Sequence, residues 1–328
     1  MRSVRHRPSS AWSLCLPSAW HRELAQPCAR RSRHPLGLVD VTFTTVGIKL
    51  LSTLLALAAC RTAGAATAVQ LVYVGAVEST VWRGIEQGLR EANILGGYTG
   101  YTYHVQTMDP VALLTAKGQP PPATASAEGA SLTAPFPMAV IAATDAATLQ
   151  RLSDKFAMAG VAVLNLTADD EALRQACLPN VLHIAPSARM KADAIAQWQK
   201  KKPAAPVQAR AWHEDFTKFA AGELNNRFRK AHGIPMDDDA WAGWAGLKML
   251  SEAVARAQTT EPARILAYLR NELAFDGQKG VAQTFRDTGQ LRQPILLVEN
   301  GKLVGEAPVP GVVDGNDLDS LGRTSCKQ

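Results

Sequence analysis

The chain has 328 residues, with 35 Lys and Arg against 29 Asp and Glu and a formal net charge of +6. Residues 1–60 hold eight of the bases and two of the acids, so the rest of the chain carries 27 of each. The basic surplus therefore belongs to the N-terminal segment. The remainder offers no net basic charge of the kind that indicates a nucleic-acid partner.

Residues 1–68 are interpreted as a leader. Lys49 precedes an uncharged apolar run, residues 50–59, and small residues follow it. These are the parts of a secretory signal peptide, and the run is shorter than the roughly 20 apolar residues that a membrane span needs. Residues 1–45 exceed an ordinary n-region, so we interpret them as an upstream mis-assigned start and exclude them from the fold. The pattern predicts export to the periplasm, with no transmembrane span in the mature chain.

Two kinds of cleavage fit this leader. Leu57-Ala58-Ala59-Cys60 resembles a bacterial lipobox, in which Cys60 is lipidated and becomes the mature N-terminus. Ala63-Gly64-Ala65 or Ala66-Thr67-Ala68 instead fits the ordinary signal peptidase, which releases a soluble protein. The residues leave both alternatives open.

The region 69–187 alternates short apolar runs with helical patterns. The first helix shows the pattern best, because Trp82, Ile85, Leu89 and Ala92 recur at helical spacing behind a Ser79 or Thr80 N-cap. Five strands alternating with helices predict a doubly wound parallel sheet of the α/β class. The predicted strands are 69–75, 101–107, 138–142, 161–164 and 181–184, and the predicted helices are 80–97, 111–117, 148–159 and 171–177. The segment 119–137 is rich in Pro, Ala, Ser and Thr and predicts an exposed loop.

The region 188–328 reads as a second, reduced lobe that is mostly helical. Its helical patterns cover residues 188–202, 216–230, 237–257 and 262–273, with a Lys- and Pro-rich linker at 200–206. Apolar residues surround most of the 237–257 helix, which predicts that it is buried. Val281–Phe285 and Ile295–Val298 have strand composition, and Asn300-Gly301 supplies the two positive-φ positions of a hairpin turn.

These C-terminal residues carry a family resemblance. A helix ending in Phe275-Asp276-Gly277 and leading into a β segment with an Asn-Gly turn resembles the C-terminal end of type I periplasmic binding proteins. Glu91–Gly97 is similar to the start of the amino-acid-binding members. Phe285-Arg286 and Gly289–Pro294 resemble, more narrowly, the ABC-transporter substrate-binding proteins associated with PQQ-dependent alcohol oxidation.

The resemblance implies an exported solute-binding component of an ABC importer. Such a protein encloses a small polar ligand by hinge closure of two lobes and passes it to a transporter permease, without catalysis and without a cofactor. The ligand class implied here is amino-acid-like or related to alcohol oxidation. Relatives of this kind carry several more strand–helix units after the helix corresponding to 188–202, so the second lobe is expected to be truncated. That shortening supports an alternative, a non-transport accessory protein that contacts a periplasmic dehydrogenase.

In open α/β sheets, ligands bind at the carboxyl ends of the strands, where loops and helix N-termini meet. The resemblance places the ligand at the same edge. The candidate ligand-binding residues follow strands one, three and four, and they are Ser79, Trp82, Ala143, Thr144, Asp145, Asn165 and Thr167. Backbone N–H groups and hydroxyls could hold a carboxylate there, and Trp82 could wall the pocket. The alternative is that Ser79 and Thr144 only cap helices and Trp82 only fills the core.

Cys177 and Cys326 remain in the chain beyond the leader, and an even pair in an oxidising compartment is a disulfide candidate. The family resemblance covers the surroundings of both, and the alternative is two unrelated thiols. His213-Glu214-Asp215 and Asp237–Asp239 lack the spacing of a zinc or calcium site, and acids at Asp237–Asp239 suit a helix start. His183 is predicted to be a core histidine. No motif indicates an enzyme.

Overall fold

The computed structural model describes residues 66–116, 136–203 and 206–326. The predicted apolar leader run at 50–59, Cys60 and most of the predicted loop at 119–137 lie outside these ranges. The first strand begins at Thr67, so cleavage after Ala68 would remove its first two residues.

The first sheet has five parallel strands, confirming the predicted α/β class. Their spatial order is β2-β1-β3-β4-β5, so the chain reverses its winding direction between β1 and β3. The strands are β1 (Thr67–Val74), β2 (Tyr101–Thr107), β3 (Ala139–Ala142), β4 (Ala162–Asn165) and β5 (Val181–His183), and the helices between them are α1 (Thr80–Thr99), α2 (Pro110–Thr115), α3 (Ala146–Phe156) and α4 (Glu171–Ala176).

Both faces of this sheet are covered at β1, β3, β4 and β5, because residues on these four strands alternate between two apolar clusters. Leu71 and Tyr73 of β1 lie in the cluster that contains α1, whereas Val72 and Val74 lie in the cluster that contains α3. Strands buried on both faces read as continuous apolar runs. This is why the predicted β1, β3, β4 and β5 are confirmed within one or two residues. The edge strand β2 is confirmed as well, although it is mostly half-buried.

The rest of the chain adds four helices and a second sheet of three antiparallel strands, β6-β7-β8. The helices are α5 (Ala188–Lys201), α6 (Ala221–His232), α7 (Asp238–Ala257) and α8 (Pro262–Asn271), and the strands are β6 (Gln208–Arg210), β7 (Ile295–Glu299) and β8 (Lys302–Ala307). Asn300 and Gly301, with φ of 49° and 73°, form the predicted hairpin turn between β7 and β8.

Helix α7 packs on the first sheet beside α1, although it belongs to the region predicted as the second lobe. The two helices approach closely at glycines: a Cβ on Gly243 would lie 2.3 Å from the Val81 carbonyl oxygen. Trp241, Trp244 and Leu250 of α7 are buried in the same cluster as β1. The prediction of a buried 237–257 helix is therefore confirmed, and the described residues, from 66 onward, belong to one compact unit.

The end of α1 and the start of α6 were predicted wrongly. Helix α1 continues past Gly96 and Gly97 to Thr99 and ends at Gly100, whose φ is 79°. Gly96 instead permits contact with β2, since a Cβ there would lie 2.2 Å from the Tyr101 carbonyl oxygen. Residues 216 and 217 are irregular and residues 218–220 form a turn, so the helix predicted from Phe216 begins only at Ala221.

Residues 281–285 do not form the predicted strand. They make isolated bridges, Phe275 with Gln283 and Phe285 with Leu291. A separate single bridge joins His183 of β5 to Gln290, and it places residues 289–291 alongside the edge of the first sheet. No helix in the described ranges has both the length and the apolarity that a membrane span requires.

Candidate functional site

The carboxyl end of β1 leads into a hydrogen-bonded turn. Ser79 is the N-cap of α1: its Oγ accepts from the Trp82 amide at 3.2 Å and donates to the Ala76 carbonyl at 2.6 Å. The half-buried Trp82 ring lies 5.2 Å from the Tyr73 ring. Ser79 therefore has the capping role, and Trp82 packs on Tyr73 at the rim of the sheet.

The carboxyl end of β3 presents Ala143, Thr144 and Asp145. Asp145, not Thr144, caps α3, because its carboxylate accepts from the amide and the hydroxyl of Thr148, both at 2.9 Å. These hydrogen bonds lower the pKa of Asp145. The capping role suggested for Thr144 is thus wrong. Its half-buried side chain faces the edge of the first sheet at the carboxyl ends of the strands, here called the rim.

Thr144 lines a hollow of about 280 Å³ at the carboxyl ends of β1, β2 and β3. Thr144 is the one candidate among its lining residues, which otherwise are Gly75, Val77, Thr107, Met108, Asp109 and Pro110. The winding direction of the sheet reverses between β1 and β3, and ligands of open α/β sheets bind at such a point. Residues from the β2–α2 turn were missed from the sequence, because β2 was not included among the strands considered.

The carboxyl end of β4 is organised by Asn165, which is fully buried. Its Oδ1 accepts from the amides of Thr167 and Ala168, and its Nδ2 donates to the Ala168 carbonyl and to His183 Nδ1, at 2.7 and 2.9 Å. The amide group of Asn165 is fully used inside the protein. Asn165 therefore shapes the loop that carries the half-buried Thr167, and offers no free group to a ligand.

His183 lies beneath this loop as a buried neutral imidazole. Burial, with the charges of Arg174 and Arg270, lowers its pKa well below the ordinary value. Because Nδ1 accepts from Asn165, the proton of the neutral ring is on Nε2, which has no hydrogen-bond partner within the described part of the chain.

Arg174 of α4 connects the loops after β4 and β5, a role that no sequence pattern indicated. The buried guanidinium donates to the carbonyls of Ala168 and Ala185, each at 2.8 Å, and to Gln290 Oε1 at 2.9 Å. Burial lowers the pKa of Arg174 to about 10, so the side chain remains charged at neutral pH.

The N-terminus of α7 brings acids to the same edge of the sheet. Asp237 caps the helix by accepting from the Ala240 amide at 2.8 Å, and Asp238 accepts from the Trp212 amide at 2.8 Å. Burial raises the pKa of Asp238. Burial also raises the pKa of Tyr73, and the charge of Asp239 adds to that effect. The rim thus carries negative charge opposite the loop after β1.

A second hollow of about 240 Å³ lies between α7 and the second sheet, with Arg210, Trp212, His213, Asp237 and Asp238 among its lining residues. His213 contacts Asp215 at 3.8 Å, and Glu214 pairs with Arg229. Over residues 66–116, 136–203 and 206–326, no group of three His, Cys, Asp or Glu side chains is placed to hold a metal ion.

Cys177 and Cys326 form a disulfide with a Cα–Cα distance of 5.9 Å. Cys177 follows the last residue of α4, with φ of 49°, so the bond ties this helix to the C-terminal segment.

No protein-family model matches the chain, and no curated protein matches it. Solved structures do. An ABC transporter substrate-binding protein from Desulfitobacterium hafniense superposes with a TM-score of 0.57 at 13% identity, over 73% of this chain and 99% of its own. A branched-chain amino acid transporter substrate-binding protein from Streptococcus pneumoniae, in complex with isoleucine, gives 0.56 at 10% identity over 74% and 98%. A leucine-, isoleucine-, valine-, threonine- and alanine-binding protein from Brucella ovis, in a closed conformation, gives 0.58 at 11% over 71% and 90%.

At these identities the likeness shows the fold alone. None of the three is named for a PQQ-dependent dehydrogenase, so that narrower resemblance stays a hypothesis. The chain has the fold of the type I periplasmic substrate-binding proteins of ABC transporters, the Leu/Ile/Val-binding kind.

Proposed function

We propose that this protein is the exported solute-binding component of an ABC import system and binds a small polar ligand at the carboxyl edge of the first sheet. The observation that carries the proposal is the hollow beside Thr144, where the winding of the sheet reverses. Ligand sites in open α/β sheets lie at this point for a topological reason, since the loops on either side diverge there. The fold shared with ABC substrate-binding proteins supports the same assignment.

The groups at this edge suit a ligand with both polar and apolar parts. Thr144 and Thr107 supply hydroxyls, Asp109 supplies a carboxylate, and Met108 and Val77 supply apolar surface around the hollow. An amino acid combines these features, because its ammonium group suits the Asp109 carboxylate, whose Oδ1 also caps α2, and its own carboxylate can accept from the hydroxyls. We therefore propose an amino-acid-like ligand, with a product of alcohol oxidation as the second class, and release of the ligand to a transporter permease from the periplasm.

The test is a thermal-shift screen of the purified protein with leucine, isoleucine, valine, threonine and alanine, followed by small alcohols, aldehydes and carboxylic acids. A ligand that binds only the native state raises the melting temperature as its concentration increases. We expect at least one compound to do so without being converted. A flat response to every compound counts against the proposal.

Thr144→Ala gives the site-specific version of this screen. The variant removes a hydroxyl from the hollow and leaves the Asp145 cap of α3 intact. We expect a weaker ligand-dependent shift than in the wild type, at the same melting temperature without ligand. Gln150→Ala, on the solvent side of α3, is the matched control and should keep the full shift.

The accessory role is the second candidate, and the small second sheet is the observation that favours it, because three strands offer less surface to enclose a ligand. Co-purification with a periplasmic PQQ-dependent dehydrogenase, together with no response in the ligand screen, would select this candidate over the importer.

A further inference from the structure

The C-terminal segment Leu318–Cys326, here called the clasp, is fastened to helix α5. The Gly322 amide donates to Asp193 Oδ2 at 2.8 Å, and Gln197 Nε2 donates to the Ser320 carbonyl at 3.2 Å. Leu321 is fully buried in the cluster that joins α5 to the second sheet. The clasp is therefore attached to α5 and to the second sheet.

A buried arginine fastens the clasp to a different part of the molecule. Arg286 has a completely buried side chain, and its Nε contacts Asp319 Oδ1 at 2.8 Å. Its Nη2 donates to the Leu318 carbonyl at 2.5 Å. Arg292 also donates to Asp319, at 2.9 Å. Because a buried guanidinium needs a charged partner, removal of the Asp319 carboxylate should be costly.

The segment that holds Arg286 is itself attached to the first sheet. The His183 amide of β5 donates to the Gly289 carbonyl at 2.7 Å, and the Leu291 amide donates to the His183 carbonyl at 3.0 Å. Gln293 Nε2 donates to the Ile184 carbonyl at 2.7 Å. Through Arg286 and Asp319, the clasp thus joins the edge of the first sheet to α5.

The disulfide closes this arrangement into a ring. Cys326 at the end of the clasp is bonded to Cys177 at the end of α4. Arg174 of α4 donates to Gln290 of the attached segment, and also to the carbonyls of Ala168 and Ala185 in the rim loops. The disulfide and the ion pair between the buried Arg286 and the partly exposed Asp319 therefore hold the second sheet, and Arg174 of the same arrangement also holds the rim loops.

We propose that the clasp locks the second sheet at one angle to the first, so that the rim keeps a single geometry instead of opening and closing about a hinge. This inference rests on the proposed function for its meaning, because the rim is the proposed ligand site. The lock itself concerns the ligand-free protein. The disulfide is the redox-sensitive part of the lock: reduction frees the end of the clasp, and the hydrogen bonds of Arg286 and Arg292 to Asp319 and Leu318 then hold the clasp to the first sheet.

Hydrogen exchange followed by mass spectrometry tests the lock in ligand-free protein. In the Cys177→Ser/Cys326→Ser variant we expect amide exchange in α5, β7, β8 and the clasp to be faster by about tenfold or more, with β1 and α7 unchanged. Asp319→Asn, with the disulfide intact, should accelerate the same peptides. Asp314→Asn is the matched control, since among the described residues the Asp314 carboxylate accepts only from the nearby Asn316 amide.

Unchanged exchange of α5, β7 and β8 in both the double serine variant and Asp319→Asn would overturn the lock. If the double variant does not fold, reduction of folded wild-type protein by a phosphine under native conditions replaces it, and the expected peptides are the same. None of these measurements uses a ligand. A ligand screen without any response therefore refutes the proposed function and leaves the proposed lock unaffected. Unchanged hydrogen exchange in the variants refutes the lock and leaves the proposed function unaffected.

Discussion

The Nζ atom of Lys279 lies 3.9 Å from the centroid of the Trp241 ring. The ammonium is buried, and its hydrogen bonds go to neutral acceptors, Gln293 Oε1 at 2.7 Å and the Pro294 carbonyl at 3.2 Å. A cation over an indole face gains electrostatic attraction, but it does not recover the full hydration that is lost on burial. Burial accordingly lowers the pKa of Lys279 to about 7.

This pKa predicts a stability that rises with pH. The unfolded chain holds the Lys279 proton up to about pH 10.4, whereas the native protein releases it near pH 7, so unfolding takes up a proton between these values. The free energy of unfolding should rise across that interval, by at most about 1.4 kcal/mol per pH unit from this group. Below pH 7 both states hold the proton and the contribution stops changing.

Denaturant unfolding of wild type and Lys279→Met between pH 7 and pH 10 measures this effect. The wild-type curve should rise more steeply, and the difference between the two curves isolates Lys279 from other titrating groups. Lys200→Met, at an exposed position on α5, is the control and should follow the wild type. Parallel curves for wild type and Lys279→Met would rule out a depressed pKa for this lysine.

The close contact between α1 and α7 predicts opposite effects for two glycine substitutions. Gly243→Ala places a methyl group 2.3 Å from the Val81 carbonyl oxygen, so the helices must separate, and we expect a loss of about 1–3 kcal/mol in the free energy of unfolding. Gly97→Ala, on the same helix pair, meets no atom within 4 Å and should gain up to about 1 kcal/mol. Urea unfolding measures the free energy of unfolding of both variants. A Gly243→Ala protein as stable as the wild type contradicts the packing of α1 against α7.

Rim residues that support the structure and rim residues that face the hollow should differ in how much their substitution lowers the free energy of unfolding. Asn165→Ala leaves the buried amides of Thr167 and Ala168 without their acceptor, so we expect a loss of about 1–3 kcal/mol in the free energy of unfolding. Thr144→Ala removes a hydroxyl whose protein contact is long, 3.4 Å to the Asp145 carbonyl, and should change it by less than about 0.5 kcal/mol. Equal losses in the two variants would mean that Thr144 is structural as well.

The parallel sheet could be predicted because four of its strands, all except β2, are continuous apolar runs separated by turn residues, and the Ser79 cap followed from residue type alone. The start of α6 could not. Phe219 and Ala220 have backbone φ angles of 53° and 65°, which residues other than glycine rarely adopt. The burial of Trp212 and Phe216 determines that turn. Local sequence carries no signal for such tertiary constraints.

The rim was predicted as a set of loops, but the roles of its residues were not. Arg174 acts through Gln290, which is 116 positions away in the chain, and Asn165 acts through contacts within its own loop and with His183. From its residue type, Asn165 was predicted to bind the ligand. Its burial instead makes it part of the structure that shapes the loop after β4. The roles of these residues depend on tertiary contacts, which the spacing of residues along the sequence does not reveal.

The central claim is that a small polar ligand binds at the carboxyl edge of the first sheet. Its most direct test is to follow the backbone amide resonances of the ¹⁵N-labelled protein as each compound of the screen is added. The account predicts that at least one compound causes saturable shifts concentrated at residues 75–82, 107–110, 143–145 and 165–168. Saturable shifts confined to any other surface, or none with any compound, would contradict it.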